Sequence, residues 1–174
     1  LEEIDINFSS KYLFSIIKSG KFTEAFNYSK KMEKKNLGNF ESDLITGVYY
    51  LKNNNYDQAH TYFLRLQKRK SKFIINDFIS SSLINWTSFK DLDLPQAQDK
   101  IDNINSRFQN LKEIQNVFLH CFYSSNKTEF YFKDLISNEN IDFSRYDYFY
   151  ASYLNSIGKN EEAKRSVNSS LKLY

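Results

Sequence analysis

The hexapeptide Gly20-Lys21-Phe22-Thr23-Glu24-Ala25 returns near the other end of the chain as Gly158-Lys159-Asn160-Glu161-Glu162-Ala163. The shared Gly-Lys-x-x-Glu-Ala pattern thus spans four periods of about 34.5 positions each. A third copy, Asn54-Asn55-Tyr56-Asp57-Gln58-Ala59, lies one such period after the first, with Asn for Gly and the Ala kept. Ala97, in Pro95-Gln96-Ala97, follows after a slightly longer interval, and Phe130 stands midway between Ala97 and Ala163. Four of the five alanines thus occupy one repeat position. The fifth, Ala151, stands twelve residues before Ala163, as Gly47 stands twelve before Ala59.

A period of this length needs a unit of two antiparallel helices joined by a tight turn and stacked on the next pair. Small residues are required where the two helices cross closely, and Gly or Asn suits the turn because both tolerate the left-handed backbone that ends the first helix. Apolar residues between the turns follow helical spacing, as in Tyr146, Phe149, Tyr150, Tyr153, Leu154 and Ile157. The pattern predicts an all-α chain of ten helices, near 7–19, 21–36, 40–53, 56–69, 73–90, 94–108, 110–124, 127–137, 143–157 and 160–173. These pair into five units, near 6–38, 39–72, 73–109, 110–142 and 143–174, within a single domain. Leu in place of Ala25, Ala59 or Ala163 should overpack a crossing, whereas Ser124 and Asn138 are expected to tolerate it.

Composition agrees with this reading. With 174 residues, 41% apolar and 26% charged, the chain can bury a continuous core. One Pro and four Gly are too few for the turns of a sandwich or small barrel. Sixteen Phe and 13 Tyr exclude an intrinsically disordered segment. The net charge of +3 lacks the basic excess of a domain built to neutralise many phosphates. The single cysteine, Cys121, permits no internal disulfide, which favours the cytoplasm.

These residues together resemble the tetratricopeptide repeat (TPR). Ala25, Ala59, Ala97 and Ala163 match that family's small residue early in helix B. Gly47 and Ala151 match its small residue in helix A, and Phe22 and Tyr56 match its aromatic residue before helix B. The resemblance spans essentially the whole chain and implies a right-handed α-solenoid of about five stacked hairpins that serves as a protein-interaction scaffold. The composition, rich in Asn, Lys, Ile, Phe and Tyr, resembles TPR proteins of AT-rich bacteria. Three departures stand out: Leu37, Ser71, Gln109 and Asp142 occupy the family's proline position, unit three is four residues longer, and Phe130 fills the alanine position of unit four. The first unit, from Lys18 through Glu24-Ala25 to Met32, is also similar to the RNA-binding pentatricopeptide repeat. The Met does not recur in the other units.

No enzyme activity, cofactor or metal is expected. The chain has no glycine-rich phosphate loop, no clustered metal ligands and only two histidines, His60 and His120. Adjacent residues of a helix point about 100° apart, so His120 and Cys121 do not form a thiol–base pair. The expectation is a core Cys121 beside a surface or groove histidine. Two basic clusters, Lys30-Lys31 with Lys34-Lys35 and Lys68-Arg69-Lys70 with Lys72, fall at the ends of B helices, where cations offset the last carbonyls.

In the TPR register the A helices line a concave surface. That surface would collect Phe14, Ile17 and Lys18, then Val48, Leu51 and Lys52, then Trp86, Phe89 and Lys90, and finally Phe122, Tyr123 and Tyr148. Rings interleaved with lysines suit an extended peptide or partner segment. Partners are therefore expected to be proteins, with nucleic acid disfavoured and no membrane span. Apolar stripes at both ends, Leu1, Ile4, Ile6 and Phe8, then Val167, Leu171 and Tyr174, suggest a fragment of a longer repeat protein able to associate end to end.

Overall fold

A computed structural model describes residues 2–69, 73–138 and 142–171, with side chains described between residues 7 and 168. Among the described residues there are ten α-helices and no strand: α1 (Glu2–Lys18), α2 (Phe22–Lys34), α3 (Phe40–Lys52), α4 (Tyr56–Lys68), α5 (Ile74–Ser88), α6 (Leu94–Asp102), α7 (Gln109–Phe122), α8 (Thr128–Ile136), α9 (Tyr146–Ser156) and α10 (Asn160–Leu171). The fold is all-α and TPR-like, each helix packing on the next within the unit to which it belongs. Tertiary contacts divide the chain into two compact units, Leu1–Leu92 and Asp93–Tyr174.

The turns explain the repeat. Gly20, Asn54, Ser124 and Gly158 all take positive φ, at 71°, 58°, 50° and 82°. In each turn the next N–H reaches back to a carbonyl five residues earlier: Lys21 to Ile16, Asn55 to Tyr50, Ser125 to His120 and Lys159 to Leu154, at 2.9–3.2 Å. These bonds satisfy carbonyls that a helix end leaves open. Some helix starts carry a side-chain cap as well. Asn55 caps α4 by accepting from the Gln58 N–H, and Asp93 with Gln96 forms a capping box at α6, with Pro95 in its first turn. A second capping box, Asn39 with Ser42, begins α3.

In the first unit, Leu13, Ile16, Ala25 and Met32 form one buried cluster, with Ile17, Tyr28, Leu37 and Ile45 packed against it. Ala59, Phe63 and Leu66 form another, which Phe40, Leu44, Tyr50, Leu51, Leu83 and Ile84 cover. The second unit is held by Val117, Phe132, Leu135, Phe143, Tyr150, Ala151, Leu154 and Ala163. Each large apolar side chain so buried contributes about 1.5–3 kcal/mol. Ala25, Ala59, Ala97 and Ala163 are all buried, so the repeat position is a helix contact in four of the five units.

Three local expectations need correction. The predicted helix near 94–108 ends at Asp102, and a separate 3-10 turn spans Ser106–Phe108. Phe130 does not occupy the crossing in its unit, since it is 63% exposed. Thr128 takes that place with no exposure, its one hydroxyl proton shared between the carbonyls of His120 and Ser125, each 2.8 Å away. Ser124 is a left-handed turn residue rather than a tolerant site. The terminal stripes fall partly outside the described side chains, at Leu1, Ile4, Ile6, Leu171 and Tyr174; Phe8 is exposed.

Candidate functional site

Of the twelve residues assigned to a binding face, the structure brings Val48 and Lys52 together on α3. They line a groove of about 340 Å³ with Phe22 and Thr23 from the start of α2 and with Ile45, Tyr49 and Asn53. Ile45 also packs against the first core cluster, and Tyr49 stacks on Phe26 with ring centroids 4.0 Å apart. These contacts hold the floor rigid while Phe22, Val48 and Lys52 stay exposed. The groove is largely apolar, with one cation at its end. Phe22, Ile45 and Tyr49 are absent from the predicted set, although the repeat aromatic at Phe22 is visible in the sequence.

The remaining residues of the first unit divide three ways. Phe14 is exposed on α1 with the Lys18 ammonium 5.3 Å from its ring centroid. Ile17 and Leu51 are half-buried against the two core clusters. Trp86 is half-buried, edge-on to Phe89 at 5.0 Å, and Lys90 lies 5.2 Å from the Tyr56 ring and 3.6 Å from Asp57.

Phe89 itself is wholly buried and belongs to the core, not to a binding surface. The reason lies in the extra residues of unit three. A register counted back from Ala97 spreads them through the A helix. In the structure α5, starting at Ile74, begins one ordinary period after the start of α3 at Phe40, and an added 3-10 turn, Phe89–Asp91, follows its end. That turn carries Phe89 inward.

In the second unit Phe122 and Tyr148 are exposed, and Tyr123 is half-buried at the C-terminal cap of α7. Phe122 meets Tyr123 edge-on at 5.0 Å, and Tyr148 meets Phe149 at 5.9 Å. This unit also holds a second groove, of about 580 Å³, that the repeat pattern does not announce. Its lining includes Lys133, Asp147, Tyr150, Glu162 and Arg165. Beside it Glu129 accepts from Lys133 and Lys159, each at 2.6 Å, and these bonds hold its carboxyl down at about 2.

The basic clusters are partly consumed by structure. Burial disfavours charge on Lys30, but hydrogen bonds to Glu33 and Tyr62 outweigh it and raise its pKa. Partial burial works against the Glu33 carboxylate too. Bonds from Lys30, Arg65 and Tyr62 win, and its pKa falls to about 2. Arg65 also reaches the buried Asp43 at 2.9 Å, and Arg69 pairs with the same carboxylate at 2.6 Å. Lys70 and Lys72 lie outside the described residues.

His120 and Cys121 exchange the surroundings expected of them. His120 is 5% exposed, stacked on Tyr131 at 4.1 Å, with neither ring nitrogen hydrogen-bonded. Burial, with Lys127 nearby, lowers its pKa, so the ring is neutral at pH 7. Cys121 is half-buried, and burial pushes its thiol up, away from the thiolate a nucleophile needs. Among the described residues no group of three or more His, Cys, Asp or Glu is placed to hold a metal ion, and no helix is long and apolar enough to cross a membrane.

No family model and no curated protein matches the chain. Its backbone is similar to the solved structure of MamA AMB-1 in the P212121 form, with a TM-score of 0.51 at 12% identity, covering 98% of this chain and 92% of that one. MamA is a TPR-containing protein. At this identity the likeness is one of fold.

Proposed function

We propose that the chain is a non-catalytic protein-interaction module that takes a peptide or partner segment on the exposed side of its A helices. The observation that carries this reading is the α2–α3 groove, where an exposed apolar wall ends at Lys52. Apolar side chains of a ligand would fill the space beside Phe22, Ile45, Val48 and Tyr49. A ligand carboxylate or backbone carbonyl would meet the ammonium. Phe14 with Lys18 and Trp86 with Lys90 offer further contacts of the same kind within the first unit; Phe122, Tyr123 and Tyr148 do so in the second.

The test is a peptide selected on this chain from a random display library, its affinity then measured against Val48→Glu and Lys52→Glu. A loss of about tenfold or more with either substitution supports the reading, since one desolvated anchor is worth at least about 1.4 kcal/mol. Unchanged affinity for both overturns it. An RNA homopolymer bound more tightly than any peptide, with steep weakening in salt, would favour the pentatricopeptide-like alternative.

A further inference from the structure

The fold splits the lysine run of α2. Lys30 is turned into the contact with α4, where it bonds Glu33 and Tyr62. Lys31, Lys34 and Lys35 are exposed, and none of the three makes an ion pair or side-chain hydrogen bond among the described residues. Helical spacing of three and four keeps them on one side of the helix. There they line a groove of about 230 Å³ with Tyr28, Met32 and Leu37, closed on the α1 side by Ser9.

The floor of this groove is built and apolar. Met32 is buried, Leu37 packs on the first core cluster, and Tyr28 is held edge-on to Tyr12 at 4.8 Å. Tyr12 is exposed and extends the aromatic wall; Phe8, one helical turn earlier on α1, is exposed as well. Capping the carbonyls of α2 does not account for three cations, because a helix end carries only about half a negative charge. A positive excess remains around an apolar floor.

We propose that this groove is a second docking site, for an acidic peptide segment of a protein partner. One aromatic or large aliphatic side chain seats against Tyr28, Met32 and Leu37. Flanking Asp or Glu carboxylates meet Lys31, Lys34 and Lys35. The groove's volume is below the roughly 300–1,000 Å³ of small-molecule sites and suits a single side chain. Its three cations cluster around one hollow and form no stripe along which a phosphate backbone could run. The site shares no lining residue with the α2–α3 groove, so it stands or falls separately from the function proposed above.

Fluorescence anisotropy with a labelled peptide, one Phe within a run of Asp and Glu, tests it on the whole chain. The peptide should bind, and its affinity should fall about tenfold when its Phe becomes Ala. Charge reversal at Lys31→Glu, Lys34→Glu and Lys35→Glu together should cost about tenfold or more, while Lys164→Glu, a reversal at an exposed site on α10, leaves binding unchanged. Lys34→Gln with Lys35→Gln serves as a milder variant should the triple reversal melt early by circular dichroism, with an intermediate loss expected. Binding indifferent to the lysine substitutions overturns the proposal. So does tighter lysine-dependent binding of phosphatidylserine vesicles or single-stranded RNA than of the peptide.

Discussion

Phe63 lies so close beneath Gly47 that a β-carbon at position 47 would stand 2.3 Å from the ring's Cε1. The ring is wholly buried in the α3–α4 contact and has no room to retreat. Gly47→Ala should therefore destabilise the chain by about 1–3 kcal/mol through overpacking. Denaturant melts check this, and Gly47→Ala combined with Phe63→Leu should recover part of the loss. Additive losses in the double variant would show that the ring is not the obstacle.

Leu substitutions at Ala25, Ala59 and Ala163 should each cost about 1–3 kcal/mol for the same reason, since all three sites are buried at helix contacts. Neutral outcomes at all three would contradict the repeat register.

In the fourth unit the sensitive positions are Thr128 and Ser124, not Phe130. Thr128→Leu removes a hydroxyl bond shared between two carbonyls and overpacks a buried site. Ser124→Leu forces a branched side chain into a left-handed turn at φ 50°. Both should lower the thermal midpoint, and Phe130→Ser at its exposed site should hardly move it. A larger effect at Phe130 than at Thr128 would reverse this assignment.

Much of this architecture is legible in the sequence because the devices that set it are local. Gly20, Asn54 and Gly158 mark turns, and the alanines that follow mark contacts, so the helix limits fall within a few residues of those predicted, apart from the starts of α1 and α9 and the end of α6. Where the turn is made by Ser, as at Ser124, composition no longer signals it, although its place one period before Gly158 does. The extra turn after α5 is invisible in the sequence because a length difference does not say where the added residues go, and a register counted from Ala97 misplaces Phe89 as a result. The ion pairs of Asp43 with Arg69 and Glu33 with Arg65 join residues 26 and 32 apart. Nothing periodic in the sequence announces them.

Acid should weaken the first unit through Glu33. Its folded pKa of about 2 lies below the ordinary value of 4.5, so its stabilising share is fully present above pH 4.5 and is lost as pH falls towards 2. Because the group is partly solvated, the loss should be about 1–2 kcal/mol. Urea midpoints across that range should show the slope, and Glu33→Gln should flatten it. An equal slope in the variant would place the acid sensitivity elsewhere.

His120 acts in a higher window. Its folded pKa is depressed, so stability is full above about pH 6.5 and declines as pH falls through the folded value, because the buried ring resists protonation. His120→Phe keeps the stack on Tyr131, leaves no ring nitrogen unpaired, and should remove this slope with no loss of stability at pH 7. A variant that is less stable at pH 7 would mean that the imidazole has a partner in solution.

The central claim, that a peptide docks in the α2–α3 groove of this repeat fold, is tested most directly by hydrogen exchange of the chain with and without a display-selected peptide. The account predicts added protection in the segment bearing Phe22 and Thr23 and in residues 45–53, removed by Val48→Glu. Protection confined to other segments, or no peptide selected while RNA binds, would contradict it.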